Sequence, residues 1–199
     1  MFGPDGGASL VWSVGQRAPP RPRLDGLSMP RRPLDATRGI LEIDWPLFGE
    51  LCRALALKVA REYDPELIVG IAKAGVIPGV VIAATLEREF SSMTVTRRTV
   101  GGMPVLVSGP PPNLSGQRVL LVDETCDSGN TLKVALNEIR QFNPAEVRTA
   151  VSFRTGPYQP DFFSFETEKS IVLPWDREVV RDGKLIRRPD WTPDSGSDA

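Results

Sequence analysis

Three apolar runs constrain the fold more than any other feature: LIVGIA from Leu67, VLLV from Val119 and TAVSF from Thr149. They are too short for helices and too continuous for strands with one wet face. Such strands are covered on both sides, as in a parallel sheet. Segments of helical period lie around them. In DWPLFGELCRALALKVAREY, Phe48, Leu51, Cys52, Leu55 and Val59 share one face, Asp44 is placed as N-cap and Pro46 falls in the first turn. Two further helices are predicted from GVVIAATLERE (79–89) and from NTLKVALNEIRQF (130–142), the second with Leu132, Ala135, Leu136 and Ile139 on one side. SSMTVTRR (91–98) and SIVLPW (170–175) complete the strands. The expected architecture is α/β, a single-domain open parallel sheet flanked by helices.

The apolar stretch from Leu67 to Leu86 is long enough to span a bilayer. Lys73 lies inside it, and Gly75, Pro78 and Gly79 interrupt it, so strand, turn and helix is the cheaper reading. No membrane association is expected. Residues 1–39 hold six prolines, six glycines and six arginines with little apolar period. They are expected to form a disordered tail before a domain at 40–190, with 191–199 a second polar tail. Met29 offers an alternative start. Thr99–Gln117 is rich in glycine and proline and predicts one short strand, PVLVS, within a long mobile loop that could serve as a lid.

The chain has no histidine, so any general acid or base is a carboxylate, Lys, Tyr or Cys. Two cysteines, Cys52 and Cys126, make neither a disulfide framework nor a zinc set, and no signal peptide is visible, so a cytoplasmic location is expected. The net charge of −1 argues against a nucleic-acid partner bound through a broad basic face.

The chemistry concentrates in RVLLVDETCDSGNTLKVAL, Arg118–Leu136. An apolar strand runs into Asp123 and Glu124, Asp127 follows, and small residues then open a helix. A ligand in an open parallel sheet sits at the strands' carboxyl ends. A helix N-terminus there offers unpaired N–H groups and partial positive charge to a phosphate. Ser128, Gly129, Asn130 and Thr131 allow close approach, while paired carboxylates suit sugar hydroxyls and Mg²⁺. A ribose phosphate satisfies both halves. The alternative is a plain N-cap at Asp127 or Ser128 beside two solvated acids.

VLLVDETCDSGNTL resembles the signature of the type I phosphoribosyltransferases, which bind 5-phosphoribosyl 1-diphosphate (PRPP). The similarity runs over roughly residues 40–180 and is closest to the hypoxanthine, guanine and xanthine branch. It implies the family fold, with a flexible lid loop and a small hood. It also implies transfer of the phosphoribosyl group from PRPP to a purine base, as in purine salvage, with Mg²⁺ as cofactor and a homo-oligomer, dimer or tetramer. Asp123 and Glu124 would then hold the ribose and the metal, Asp127 and Ser128–Thr131 the 5′-phosphate, and Asp127 would also exchange a proton with the base. GIAKAGVIPG resembles the diphosphate loop, implying contacts from Lys73, Ala74 and Gly75, with a non-proline cis peptide near Ala72–Lys73–Ala74. Arg97 and Arg98 at the base of the lid could clamp the diphosphate. FRTGPYQPDFFSFETEKSIVLPWDRE resembles the base-binding region. There Arg154 stands where the branch has a lysine, Ser170 where it has a stacking aromatic, and Ile171, Val172 and Trp175 would border the base. Asp176 matches a site near the metal. A phosphoribosyltransferase for another base, such as a pyrimidine, and a PRPP-sensing nucleic-acid-binding regulator are the alternatives.

Overall fold

A computed structural model describes residues 35–97 and 102–188. Its main sheet has six strands in the order β4-β3-β2-β5-β6-β7. They are β2 (Leu67–Ala72), β3 (Glu89–Arg97), β4 (Pro104–Ser108), β5 (Arg118–Cys126), β6 (Glu146–Arg154) and β7 (Phe162–Glu166). Every neighbouring pair is parallel except β3 and β4. The apolar strands alternate their side chains between two cores. Ile68, Leu120, Val122 and Ala150 pack with Leu55, Val59, Ile82 and Ala83 of α1 (Trp45–Glu62) and α2 (Val76–Leu86). Val69, Leu121 and Val151 pack on the other face with Leu132, Ala135 and Ile139 of α3 (Asn130–Arg140). Burial on both faces is what the continuous runs demanded.

Local chemistry sets the helix ends. The Asp44 carboxylate accepts from Leu47 N at 2.9 Å, capping α1 ahead of Pro46. Helix α2 begins at Val76, three residues before the glycine from which it was expected, and stops at Leu86 because Glu87 is left-handed (φ 54°). Glu89 then opens β3 rather than closing the helix.

PVLVS is a strand, as expected, but it pairs antiparallel with β3 as the sheet's edge and so is not part of a loop. The SIV of SIVLPW, β8 (Ser170–Val172), lies outside the main sheet and pairs in parallel with β1 (Ile40–Glu42). Pro174–Asp176 form a 3-10 turn. Together with Phe48, Cys52 and Phe153 these elements build a small third core, which forms the hood. A hairpin, β9 (Glu178–Arg181) and β10 (Lys184–Arg187), follows. Residues 35–39, read as tail, include a 3-10 turn at Ala36–Arg38, and Ser170 Oγ accepts from Asp35 N at 3.1 Å. Among the described residues no helix is long and apolar enough to cross a membrane.

The winding creates one special position. From β2 the chain passes through α2 to β3 on one side; from β5 it passes through α3 to β6 on the other. The winding reverses between β2 and β5, leaving a crevice at their carboxyl ends.

Candidate functional site

Two loops meet at that crevice. The first follows β2, where a cis peptide bond joins Ala72 to Lys73. The carbonyls of Lys73, Ala74 and Gly75 accept from the amides of Val76, Ile77 and Gly79, starting α2. Gly75 is pressed onto β5: a Cβ there would lie 2.8 Å from Asp123 Cα and 2.7 Å from Val122 O. Glycine is thus what lets the Lys73 loop touch the acidic end of the next strand.

The second loop follows β5. The strand continues through both acids, with Asp123 opposite Val151 and Thr125 opposite Phe153, so Asp123 and Glu124 lie within the ladder and not beyond it. Helix α3 then opens at Gly129, which is left-handed (φ 73°) and accepts from Lys133 N at 2.9 Å. The amides opening this helix have no acceptor within it. Arg97, Asp123 and the continuous stretch 125–132 line a small cavity. Ser128, Gly129, Asn130 and Thr131 therefore share one cavity wall with Asp127 and Asp123, and Arg97 faces them from the end of β3.

The electrostatics of Asp123 are unusual. It is 6% exposed, and its carboxyl is held well above the ordinary carboxylate range, first by burial and then by the charge of Glu124, with Arg97 opposing. Its Oδ1 accepts from Glu124 N at 3.0 Å. Cys126 is also shifted from its ordinary value. A helix N-terminus should lower its pKa, but burial, with Asp123 and Asp127 adding to it, pushes the thiol up to about 11. The thiol is a packing group here.

Metal ligation divides the expected residues. Among the described residues no group of three or more Asp, Glu, Cys or His side chains is placed to hold a metal ion. Asp176 lies instead in the hood's 3-10 turn, where its carbonyl accepts from Arg188 Nε at 2.9 Å. Asp123 and Glu124 alone fit an ion that takes its remaining oxygens from a phosphorylated ligand.

The other expected residues scatter. Lys73 is exposed, and Arg98 lies outside the described residues. Val172 is buried, its carbonyl accepting from Ile43 N at 2.9 Å, and Ile171 packs on the hood core. Trp175 stands edge-on to Phe48, with ring centroids 4.9 Å apart, and forms part of the hood wall. Ser170 Oγ donates to Asp35 O at 3.2 Å. Arg154 has other partners: Nε donates to Tyr158 O at 3.1 Å and Nη1 to Glu166 Oε1 at 2.8 Å.

Sequence reasoning missed Thr125, which lines the cavity, and the loop 155–158, which lies on the turn after β5. The Gly-Pro pair at 156–157 marked a turn, but nothing in the sequence joined it to Gly129.

The sequence profile of the phosphoribosyl transferase domain matches residues 43–178. The chain is 29% identical over 92 residues to an orotate phosphoribosyltransferase of Methanocorpusculum labreanum, covering 46% of this chain and 52% of that one. It is 31% identical over 81 residues to the hypoxanthine-guanine phosphoribosyltransferase of Homo sapiens, covering 38% and 37%. The chain therefore spans about half, or less, of the length of these two relatives. Among solved structures, a purine phosphoribosyltransferase from Pyrococcus horikoshii superimposes with a TM-score of 0.64 at 30% identity, covering 72% of this chain and 98% of that one.

Proposed function

The chain belongs to the phosphoribosyltransferase family, and from that premise we propose that it transfers the 5-phosphoribosyl group of PRPP to a purine base, releasing diphosphate. One observation carries the proposal: Asp123 at the end of β5 lines one cavity with Arg97 and the residues that open α3, and Gly75 of the Lys73 loop packs directly against Asp123. Such a crevice offers one face to a sugar diol, one to a terminal phosphate and one to a leaving diphosphate.

In this reading the amides and hydroxyls of Ser128–Thr131 hold the 5′-phosphate, and Asp123 and Glu124 orient the ribose hydroxyls. Bound Mg²⁺ would supply charge neutralisation for the diphosphate, held partly by the same two carboxylates. Lys73, the Ala74 and Gly75 amides, Arg97 and Arg98 stabilise the departing diphosphate as the C1–O bond breaks. A base nitrogen then donates its lone pair to C1, and Asp127 accepts the proton that the new glycosidic nitrogen no longer carries. Ile171 and Trp175 of the hood border the base, with the Val172 backbone behind them. The purine is favoured by the Homo sapiens and Pyrococcus horikoshii relatives, each named for a purine activity. The orotate relative is the reason to test a pyrimidine as well.

Diphosphate release with PRPP, Mg²⁺ and a panel of hypoxanthine, guanine, xanthine, adenine and orotate tests the reading. Release with an oxopurine is expected. Release with orotate alone would move the activity to pyrimidines, and PRPP binding without release from any base would make the protein a sensor.

A further inference from the structure

Within the turn after β5, the Gly129 amide faces the Cys126 thiol. Gly129 is left-handed, and as N-cap it has no side chain to brace the open amides. The bracing comes from the loop between β6 and β7. Thr155 N donates to Cys126 O at 2.8 Å, its Oγ1 to the same oxygen at 3.3 Å, and Tyr158 N to Asp127 O at 3.3 Å. The Tyr158 ring lies directly on Gly129, so that a methyl group there would overlap Cγ and Cδ2 of the ring. Gly156 sits as closely on Asp127: a Cβ at Gly156 would overlap Oδ1 and come within 2.8 Å of the Asp127 carbonyl oxygen.

This loop is itself anchored at both ends. Arg154 grips Tyr158 O through Nε and Glu166 of β7 through Nη1, and its guanidinium lies 5.7 Å from the Phe163 ring centroid. Arg38 Nη2 donates to Thr155 O at 3.2 Å, and Lys133 Nζ of α3 stands 5.4 Å from the Tyr158 ring centroid. A chain of contacts thus runs from Glu166 through Arg154 and Tyr158 to the amides that open α3.

We propose that loop 155–158 is a strap that fixes the phosphate turn, with Tyr158 and Arg154 as positioning residues, and that Arg154 serves this strap instead of touching the base. The inference rests on the phosphoribosyl reading above. Its physical basis is preorganisation. Amides held in place bind a phosphate without an ordering cost, and glycine has more backbone freedom to lose on ordering than any other residue. Losing the strap should weaken the grip on the ribose phosphate and spare the base.

The test uses the full chain, with PRPP affinity from titration calorimetry in Mg²⁺ and the KM for the base from diphosphate release. Tyr158→Ala should weaken PRPP binding roughly tenfold while kcat stays within about threefold and the base KM is unchanged. Tyr158→Phe, which keeps the ring, should restore the wild-type affinity. Arg154→Gln and Glu166→Gln should weaken PRPP binding in parallel. Glu166 is exposed, so its replacement keeps the fold and carries the test if Tyr158→Ala does not fold. Wild-type PRPP affinity in Tyr158→Ala would overturn the strap. So would an Arg154→Gln variant that raises the base KM alone, as a base contact requires. A wild-type protein that does not bind PRPP fails the phosphoribosyl reading itself, whereas binding that the variants leave unmoved fails the strap only.

Discussion

Replacing Gly75 by alanine puts one methyl group where the two loops of the site meet. The residue's φ of −64° and ψ of −15° suit any amino acid, so the cost is contact alone. The new Cβ would lie 2.7 Å from Val122 O, 2.8 Å from Asp123 Cα and 2.8 Å from Ile71 O. All three are backbone atoms of the central strands β2 and β5, and Ile71, Val122 and Asp123 are buried. Close-packed interiors give way little, so the loop must retreat by about 0.6 Å to reach ordinary contact. Overpacking of this kind costs about 1–3 kcal/mol. In a domain of this size each kcal/mol lowers Tm by about 2–4 °C. Misplacement by 1 Å costs about a hundredfold in rate, so a shift near half that predicts about a tenfold loss in kcat/KM for PRPP. Differential scanning calorimetry and diphosphate release measure both effects. An alanine variant with the wild-type Tm and wild-type kcat/KM would refute the claim that the Lys73 loop is seated on Asp123.

Other consequences follow from the same geometry. Asp127→Asn should lower turnover far more than PRPP affinity, as single-turnover rates and calorimetry would report; equal losses would make Asp127 structural. Burial raises the folded pKa of Asp123 above its unfolded value, so its contribution to stability is fully present below the unfolded pKa and is lost as pH rises towards the folded one. In chelator and without substrate, Asp123→Asn should gain stability over wild type as pH rises from about 4 to about 7, with activity lost. A constant difference in Tm would contradict this. Burial pushes the thiols of Cys52 and Cys126 up to about 11, so both should resist iodoacetamide at pH 8 until denaturant is added, as mass spectrometry would show. Asp44→Ala should cost about 1 kcal/mol in urea unfolding through loss of the α1 cap.

How far the sequence could be read depended on how local the determining physics was. Helix α1 was legible because its cap and apolar stripe lie within one segment. Strands β2, β5 and β6 were legible because burial on both faces leaves continuous apolar runs. The end of β5 was not, because Asp123 and Glu124 end the apolar run while the ladder with β6 continues to Cys126. The three-residue strand β1 carries too little pattern to detect, so β8, legible as a strand within SIVLPW, could not be matched to its partner outside the main sheet. The β9–β10 hairpin had a readable signal, Asp182–Gly183 between VVR and KLI, and both residues have the positive φ that a two-residue hairpin loop needs. The phosphate turn was visible as a string of small residues, but its brace was not. Tyr158 and Gly129 are far apart in sequence, and only the β5–β6 register, with Cys126 opposite Arg154, brings them together. The β6–β7 register, with Arg154 opposite Glu166, explains why Arg154, placed at the base by analogy, is engaged by Glu166 and by Tyr158 of the following loop.

The most direct test of the central claim is a crystal structure of the protein with PRPP and magnesium. The 5′-phosphate is expected within hydrogen-bonding distance of the amides of residues 128–131, the ribose hydroxyls on Asp123 and Glu124, and the diphosphate beside Lys73 and Arg97. A ligand bound elsewhere, or a crevice between β2 and β5 still closed by the protein's own side chains at saturating PRPP, would contradict it.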